Sequence, residues 1–173
     1  MKYLVISCSL KGASRSRLMA RKAFEALEAA GHQAEFLDLR DHPLPLCDGD
    51  QAYNDPQVEF WKGRISGAGG ILLGLPVYNY DINAASKNLV ELTGRSWEGK
   101  AVGFLCAAGG QASYMSVMNL ACDLMLDFRC LIVPRFVYAT KHDFSGEAIS
   151  NPDITARVEE LAGALVKVSR ALE

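Results

Sequence analysis

The feature that most constrains the fold of this chain is a series of five short apolar runs spread along its length. Each run is rich in Val, Ile, Leu or Phe, and several are too continuous for a strand that has one face in water. The runs therefore predict strands that are buried on both faces. They are YLVIS at 3–7, AEFLDL at 34–39, GILLGL at 70–75, AVGFLCA at 101–107 and CLIVP at 130–134.

Helical patterns separate these runs, and several begin or end at residues that favour helix ends. Gly31 stands in the position of a C-terminal cap, Asp55 precedes Pro56, and Asn151 opens an Asn-Pro-Asp cap. The predicted helices cover residues 15–30, 56–67, 83–93, 112–127 and 153–172.

The alternation of strands and helices indicates a parallel sheet, because right-handed crossovers place helices on both of its faces. We predict an α/β fold, a three-layer doubly wound sandwich with a five-stranded parallel sheet. A length of 173 residues suits one domain, so residues 1–173 are expected to form a single unit. The long segment 40–55 is predicted to be irregular because of its prolines and Asp-Gly pair, and loops of that length are usually covers or interface elements.

Composition and charge exclude several classes of function. The 18 Lys and Arg residues against 20 Asp and Glu residues give a net charge of −2, which offers no basic surface for nucleic acid. No apolar run approaches the roughly 20 residues that span a bilayer, and the N-terminus has no secretory signal, so we expect a cytoplasmic protein with no membrane partner. The five cysteines include no C-x-x-C pair and the histidines have no ligand spacing, so no metal site is predicted.

The connection between the first strand and the first helix carries hydroxyl and basic side chains. Ser9, Ser14 and Ser16, with backbone N–H groups at the helix start, are suited to bind a phosphate at the positive end of the helix dipole. The alternative is that one serine is simply the N-terminal cap. The connection matches neither the G-x-G-x-x-G nor the G-x-x-x-x-G-K-[ST] phosphate motif. Additional positive charge would come from Lys11 and from Arg15 or Arg17.

Cys8 supports a different interpretation of the same segment. Low-molecular-weight phosphatases carry a C-x5-R motif at the end of the first strand, where a cysteine thiolate attacks a phosphoryl group held by the arginine. Here the residue six positions after Cys8 is Ser14, and Arg15 lies one position too late. A buried thiol at the strand end is therefore favoured over a nucleophile.

Two further loops follow strands at the same edge of the sheet, where doubly wound proteins bind ligands. Pro76 is expected to end the third strand, and Tyr78 and Tyr80 then project from a turn, where they would suit a flat ligand unless they only pack on a neighbouring helix or subunit. After the fourth strand, Gly109 and Gly110 allow close approach of a ligand, although a Gly-Gly turn is weak evidence by itself. A ligand with a phosphate at one end and a flat heteroaromatic ring at the other would use all three loops, and FMN has that shape.

In these segments the chain resembles the NADPH-dependent FMN reductase family of flavodoxin-like proteins, which includes quinone, azo-compound and chromate reductases. The resemblance covers roughly residues 2–135. The first family motif reads about G-S-x-R-x-x-S-x-N-x-x-L. Its polar positions are taken here by Ser9, Lys11, Ser14 and Ser16, with Lys11 in place of Arg and Ser16 in place of Asn.

The second family motif reads about P-x-Y-N-x-S-x-P-G-x-L-K-N. It is matched by Pro76, Tyr78, Asn79, Lys87 and Asn88. The chain has Asp81, Asn83, Ala84 and Ser86 where the family has Ser, Pro, Gly and Leu, and the missing Pro-Gly turn affects the substrate side more than the phosphate side. The third motif is a Gly-Gly after the fourth strand, which Gly109 and Gly110 provide, with Ser113 where a further Gly often lies.

The resemblance implies the strand order 2-1-3-4-5, with the FMN phosphate in the first loop and the isoalloxazine ring between the second and third. It implies cofactor-binding residues in all three loops and no catalytic residue, because the cofactor carries the reaction. The predicted binding residues are Ser9, Lys11, Ser14, Arg15 and Ser16; Pro76, Val77, Tyr78, Asn79 and Tyr80; and Ala108, Gly109, Gly110, Ser113 and Tyr114.

The implied function is that of an FMN-dependent NAD(P)H oxidoreductase. Hydride would pass from NADPH or NADH through flavin N5 to a small acceptor such as a quinone, a flavin or an azo compound. Because family members commonly form dimers or tetramers, a homodimer or homotetramer through residues 40–55 and the helix at 83–93 is expected. Two alternatives stay open. One is a flavodoxin-type FMN electron carrier, although the T-x-T-G-x-T loop and acidic surface of such carriers are absent from the sequence; the other is a flavin-free binding domain of the same fold.

Overall fold

The main sheet of the computed structural model, which describes residues 1–172, is built from the predicted apolar runs. Its first strands are β1 (Lys2–Ser7), β2 (Gln33–Asp38) and β3 (Gly70–Tyr78), and the short strand β4 (Asp81–Ile82) precedes β5 (Ala101–Ala108). The parallel order is β2-β1-β3-β5, and the next position is shared by β6 (Leu131–Ile132) and β7 (Val137–Thr140), which both pair with β5. The predicted fold class and strand order are confirmed, but the sheet has seven strands and not five, because β4 pairs antiparallel with β3 and the last position holds two short strands.

Five α-helices connect these strands: α1 (Arg15–Ala29), α2 (Pro56–Ser66), α3 (Ala84–Thr93), α4 (Met118–Phe128) and α5 (Pro152–Arg170). Two predicted caps are confirmed. The Asp55 side chain accepts a hydrogen bond from Gln57 N at 2.7 Å, and the Asn151 side chain accepts one from Asp153 N at 3.0 Å. Among the helices of residues 1–172, none has the length and apolar character needed to cross a membrane.

Buried side chains form a separate apolar cluster on each face of the sheet. One cluster packs α2, α3 and α4 against the sheet around Trp61, Trp97 and Phe104. The other packs α1 and α5 against the opposite face and includes Met19, Leu27 and residues of α5 such as Leu165. Two helical layers with the sheet between them make the three-layer sandwich that the alternating pattern predicted.

The last predicted strand, at 130–134, is wrong in its extent. It contains only β6, after which the chain bends at Pro134 and Arg135, and pairing resumes at β7. Pro134 has no N–H to continue a ladder, and Arg135 takes a left-handed φ of +59°. Two short hairpins were also not predicted. They are formed by β3 with β4 and by β8 (Phe144–Ser145) with β9 (Ala148–Ile149), and two-residue strands are too short to show alternation.

The prediction that Pro76 ends the third strand is also wrong, because β3 continues to Tyr78. Gly74 O accepts from Cys8 N on the β1 side at 3.0 Å, and pairing of β1 with β3 ends at that residue. Two residues later, the backbone nitrogen of Pro76 also points to the β1 side of the strand. β1 no longer pairs with β3 at this level, so the N–H that proline lacks removes no hydrogen bond from the sheet. Its carbonyl accepts from Asn83 N at 3.0 Å.

The helix predicted at 112–127 begins later, at Met118. Residues 111–117 form a 3₁₀ segment in which Ser113 leaves helical geometry (φ −93°, ψ 28°). Tyr114 in this segment stacks on Phe136 with ring centroids 4.8 Å apart. Packing of this ring against a distant part of the chain therefore outweighs the local helical pattern.

Segment 40–55 is largely irregular, as predicted, apart from a 3₁₀ turn at Gln51–Asn54. Side chains from the helical layer hold it in place. The Asn88 amide accepts from Cys47 N and donates to Pro45 O, both at 2.8 Å, and Trp61 Nε1 donates to His42 O at 3.0 Å. The segment is thus bound to α2 and α3.

Gly74 allows α1 to pack directly against β3. A Cβ built at this residue would lie 2.8 Å from Ser16 O and 2.9 Å from the Cβ of Ala20. Both distances are too short for carbon contacts, and both neighbours belong to α1. The start of α1 therefore sits at a position that only glycine at residue 74 permits.

Candidate functional site

A cavity of about 700 Å³ lies at the carboxyl ends of β1, β3 and β5. This is the edge at which doubly wound sheets bind ligands. Three connections contribute its walls: the first loop (residues 8–14, before α1), the second loop (76–83, including β4) and the third loop (108–117, after β5). The tip of the β8–β9 hairpin, at Gly146 and Glu147, adds a further wall.

Three buried serines lie at the positive end of the 15-residue helix α1. Ser14 is the N-terminal cap, since its Oγ accepts from Arg17 N at 3.4 Å, and it lies 3.0 Å from Ser16 Oγ. Ser9 Oγ accepts from Lys11 N at 3.3 Å. The capping alternative is thus correct for Ser14, and the hydroxyls also line the cavity at a helix end suited to an anion.

The basic residues near the first loop differ in what they contact. Lys11 and Arg15 are exposed and line the cavity, and the Arg15 guanidinium lies 6.0 Å from the centre of the Phe144 ring. Arg17 instead pairs with Asp38 and donates to carbonyl oxygens of the first loop. Both arginines line the cavity, but the charge of Arg17 is paired with Asp38, so Arg15 is the better source of positive charge for a ligand.

The second loop is a tight hairpin that presents two tyrosines to solvent. Val77 pairs with Ile82 and Tyr78 with Asp81, which leaves Asn79 (φ +51°) and Tyr80 (φ +65°) as the turn. Positive φ at both turn residues is the type I′ pattern that suits a two-residue hairpin. Tyr78 lines the cavity and is 54% exposed, whereas Tyr80 is 68% exposed and lies outside the lining.

Two of the four residues that depart from the second family motif, Asn83 and Ser86, form a buried hydrogen-bond network. Asn83 Nδ2 donates to Cys8 O at 2.8 Å, and Ser86 Oγ donates to Asn83 Oδ1 at 2.5 Å. Asn83 N also donates to Pro76 O at 3.0 Å. Asn83 therefore joins the first loop to the second.

The matched Lys87 and Asn88 of that motif have structural contacts on α3. Asn88 holds segment 40–55, as described above, and Lys87 Nζ lies 3.2 Å from Asp123 Oδ2 on α4 and 3.5 Å from Glu91 Oε1. Neither residue lines the cavity. These two motif residues therefore hold neighbouring segments in place and do not form the walls of the cavity.

The third loop exposes backbone to the cavity. Ala108 and Gly109 line it, and a Cβ added at Gly109 or Gly110 would meet no protein atom within 4 Å. The Gly110 carbonyl is held on the other side by Tyr138, whose hydroxyl donates to it at 2.6 Å. Burial raises the pKa of Tyr138 above its usual range, so this hydroxyl stays protonated as a donor.

Tyr114, which was predicted to bind the cofactor, packs against other aromatic side chains of the protein. Its ring stacks on Phe136 and meets Tyr138 edge to face with centroids 5.4 Å apart. It remains 43% exposed. Tyr114 therefore anchors the third loop to β7 and leaves part of its ring at the surface.

The structure brings eleven of the fifteen predicted cofactor-binding residues to this one cavity. The other four lie beside it and are Tyr80, Gly110, Ser113 and Tyr114. Contact of any of the fifteen with the cofactor stays a prediction. Seven further residues line the cavity. Arg17 was considered only as an alternative to Arg15, and the sequence reasoning missed Gly12, Ala13, Leu18 and Ala107, which lie next to or near predicted residues, and Gly146 and Glu147, for which the sequence carries no signal.

Comparison with protein families matches residues 1–144 to the NADPH-dependent FMN reductase family. The chain belongs to this family. The matched range contains all three loops of the cavity and ends before the tip of the β8–β9 hairpin. This reductase is accordingly an FMN-dependent NAD(P)H oxidoreductase, with FMN and NADH or NADPH as its cofactors.

Curated relatives have related names. The reductase is 29% identical to an NAD(P)H-dependent FAD/FMN reductase of Geobacillus thermodenitrificans, over 100% of this chain and 96% of the relative. It is 28% identical to an NADPH:quinone oxidoreductase of Arabidopsis thaliana, over 79% of this chain and 73% of the relative.

Solved structures share the fold of the reductase at low sequence identity. The flavoenzyme NAD(P)H:(acceptor) oxidoreductase of Paracoccus denitrificans superimposes with a TM-score of 0.80 at 19% identity, covering 98% of this chain and 97% of that chain. A flavodoxin from the domain Archaea superimposes with a TM-score of 0.66 at 13% identity, covering 98% and 99%. Both likenesses describe the fold alone, so they do not favour the carrier alternative.

The residues of the reductase fit FMN. The cavity volume of about 700 Å³ lies in the usual range for small-molecule sites. One end offers buried hydroxyls and a helix N-terminus, which suit a phosphate, and the other offers open glycine backbone beside Tyr78, which suits a flat ring. In the described residues, no group of three His, Cys, Asp or Glu side chains could hold a metal ion.

The phosphatase interpretation of Cys8 does not fit this geometry. Cys8 is fully buried, and its thiol is directed to Ile6 O at 3.8 Å. Burial raises its pKa to about 12, so the sulfur is a neutral thiol and not a nucleophilic thiolate. Cys8 is the buried strand-end thiol that the spacing favoured.

Proposed function

We propose that this reductase transfers hydride from NADPH or NADH to a small, flat acceptor such as a quinone, a flavin or an azo compound. When bound, FMN would supply a flavin ring that can accept a hydride at N5 and pass it on. The protein residues bind and orient the reactants, and none is required as a general acid or base. What supports the proposal is the placement of eleven of the fifteen predicted residues around a single cavity at the rim of the sheet.

The phosphate end of the site is assigned to the first loop and the first turn of α1. Lys11 and Arg15 would provide positive charge, and Ser9, Ser14 and Ser16 would provide hydroxyl donors. The N-terminus of α1 adds backbone N–H groups and the positive end of its dipole. All of these favour a doubly charged phosphate over a neutral ligand.

The ring end is assigned to the second and third loops. Backbone N–H groups near Tyr78–Tyr80 and Gly109–Gln111 would meet the polar edge of the ring, where negative charge develops on reduction. Tyr78, together with Tyr80 or Tyr114 at the rim, would line the side from which the acceptor enters. A quinone fits this side, since exposed tyrosine rings stack on flat apolar molecules.

Anaerobic reduction of the FMN-loaded protein tests the proposal. NADPH or NADH should bleach the yellow absorption of the bound flavin, and a quinone added afterwards should restore it within the same cuvette. Bleaching by dithionite but by neither nicotinamide would contradict the reductase function and favour an electron carrier. A protein that binds no FMN in a calorimeter would favour the flavin-free alternative.

We also propose that residues 1–173 form one domain that works in the cytoplasm as a homodimer or homotetramer. All five cysteines are unpaired, which supports a reducing compartment. The subunit interface would include segment 40–55 and α3. Leu46 in that segment is 82% exposed, and a groove of about 780 Å³ between α3 and α4 carries Leu126, which is 84% exposed, among charges of both signs.

Analytical ultracentrifugation tests the assembly. The wild-type protein should sediment as a dimer or larger species, and Leu126→Glu should shift it towards monomer, because a buried unpaired carboxylate at an interface is costly. Leu46→Glu places a carboxylate in segment 40–55 instead. The variant that shifts sedimentation towards monomer shows which of the two surfaces, segment 40–55 or the α3–α4 groove, forms the contact. A wild-type protein that stays monomeric at high concentration would contradict this part of the proposal.

A further inference from the structure

Arg17 makes an unusually complete set of contacts for a residue beside a ligand site. Its Nη1 donates to Lys11 O at 3.2 Å and to Gly12 O, and its Nη2 donates to Ser9 O at 3.3 Å. Its Nε pairs with Asp38 Oδ2, and only 15% of its side chain is exposed. One guanidinium thus binds three carbonyl oxygens of the first loop and one carboxylate.

These contacts decide which polar groups the first loop presents to an anion. A carbonyl oxygen facing a phosphate is repulsive, whereas an N–H group is attractive. Arg17 engages the carbonyls of Ser9, Lys11 and Gly12. Within residues 1–172, the N–H groups of Gly12 and Ala13 have no hydrogen-bond acceptor in the protein, so they are available to a ligand.

Asp38 fixes the guanidinium and also neutralises it. Asp38 is 7% exposed and ends β2, where it lies in register with Ser7 at the end of β1. Its second oxygen, Oδ1, accepts from Arg40 N at 3.0 Å, so the carboxylate cannot rotate freely. Because the pair has no net charge, Arg17 contributes little attraction of its own to a phosphate.

We propose that Arg17 is a positioning residue for the cofactor phosphate, and that Asp38 holds it in place. Arg17 binds the carbonyl oxygens of the first loop, which leaves the N–H groups of that loop to donate hydrogen bonds to the phosphate of FMN. This inference rests on the proposed function, in that the first loop is the phosphate end of the site. It gives the Arg17–Asp38 pair a role in phosphate recognition that is distinct from the direct contacts of Lys11 and Arg15.

The test compares FMN with riboflavin, which has the same ring and ribityl chain but no phosphate. The full chain is stripped of flavin, and both affinities are measured by quenching of flavin fluorescence. Arg17→Gln should weaken FMN binding by about tenfold or more, which is the scale of losing charge-assisted hydrogen bonds, and should leave riboflavin binding within about threefold. Arg21→Gln is the matched control, since Arg21 lies one turn later on α1 and its guanidinium stacks on Phe36 at 3.8 Å.

Two further variants separate positioning from simple charge. Arg17→Lys keeps the charge but cannot bind four acceptors in one plane, so it should lose FMN affinity about as Arg17→Gln does. Asp38→Ala removes a negative charge near the phosphate, so electrostatics alone predicts tighter FMN binding, whereas loss of positioning predicts weaker binding. Riboflavin affinity of each variant reports whether the site is still folded.

The outcomes are distinct. Retained FMN affinity in Arg17→Lys, tighter FMN binding by Asp38→Ala, or equal losses of FMN and riboflavin in Arg17→Gln would each overturn the positioning role. A wild-type protein that binds riboflavin as tightly as FMN would instead contradict the assignment of the first loop in the proposed function. A selective loss of FMN in all three variants supports the inference.

Discussion

Tyr80 occupies a backbone conformation that residues with a side chain rarely adopt. Its φ of +65° lies in the left-handed region, and its ring is 68% exposed, so little packing compensates the strain. We expect Tyr80→Gly to raise the free energy of unfolding by about 1 kcal/mol, because glycine has no Cβ to clash in this turn. Urea denaturation followed by circular dichroism would measure the change.

Two neighbouring variants serve as controls for Tyr80. Tyr80→Phe keeps the strain and should leave stability within about 0.5 kcal/mol of the wild type. Tyr78→Gly replaces a residue of β3 with ordinary extended geometry, so it should destabilise the protein. A loss of stability in Tyr80→Gly would mean that the tyrosine ring makes contacts that outweigh the strain.

Individual residues were predictable from the sequence where the signal is local. The caps at Asp55 and Asn151 and the serines of the first loop follow from short-range patterns. The partners of Arg17 were not predictable, because Asp38 is 21 positions away and meets Arg17 only through the register of β1 with β2.

At the scale of elements, Asn88 on α3 is the main side-chain tie to segment 40–55. We expect Asn88→Ala to lower the free energy of unfolding by about 2 kcal/mol, because it leaves Cys47 N and Pro45 O without their partner. Segment 40–55 should also become more sensitive to limited proteolysis. The matched variant Lys87→Ala, on the same helix, removes only exposed ion pairs and should cost less than about 0.5 kcal/mol.

Proteolysis and stability together decide the role of Asn88. Faster cleavage within 40–55 with a lower free energy of unfolding supports the tie. Equal cleavage rates in the wild type and Asn88→Ala would show that Trp61 and the apolar contacts of the segment hold it without Asn88.

The elements that the sequence predicted well are the long ones with a continuous or periodic pattern. β1, β3 and β5 are buried on both faces and so leave long apolar runs, and α1, α2 and α5 begin at recognisable caps. The β8–β9 hairpin and the late start of α4 depend on contacts between distant segments, such as Tyr114 with Phe136. Local sequence patterns do not reveal such contacts, so the sequence did not predict that the β8–β9 hairpin lines the cavity.

For the whole molecule, buried thiols predict a loss of stability at alkaline pH. Burial raises the pKa of Cys8 to about 12 and that of Cys130 to about 11, and it raises the pKa of Cys106 well above the ordinary 9.0. Above pH 9 the unfolded chain therefore releases thiol protons that the folded chain keeps, so stability falls as pH rises. At pH 10 the three thiols together should lower the free energy of unfolding by about 4 kcal/mol.

Urea denaturation between pH 7.5 and about 10.5 would measure this trend. Cys106→Ala leaves a cavity and should lower the free energy of unfolding by the same amount at every pH. It should also remove about a third of the decrease in that free energy at alkaline pH. Cys122→Ala removes an exposed thiol and is the matched control for the substitution. A free energy of unfolding that is constant from pH 8 to pH 10 would contradict the prediction.

The close packing of α1 on Gly74 would make ligand affinity depend on a residue that does not line the cavity. The main chain of β3 supports the first turns of α1, and a single methyl group at residue 74 would force Ser16 O and the Cβ of Ala20 to move away. Selection on cofactor retention would then act on residue 74 as well as on the serines. A survey of natural variants that judged importance by distance from the flavin would overlook it.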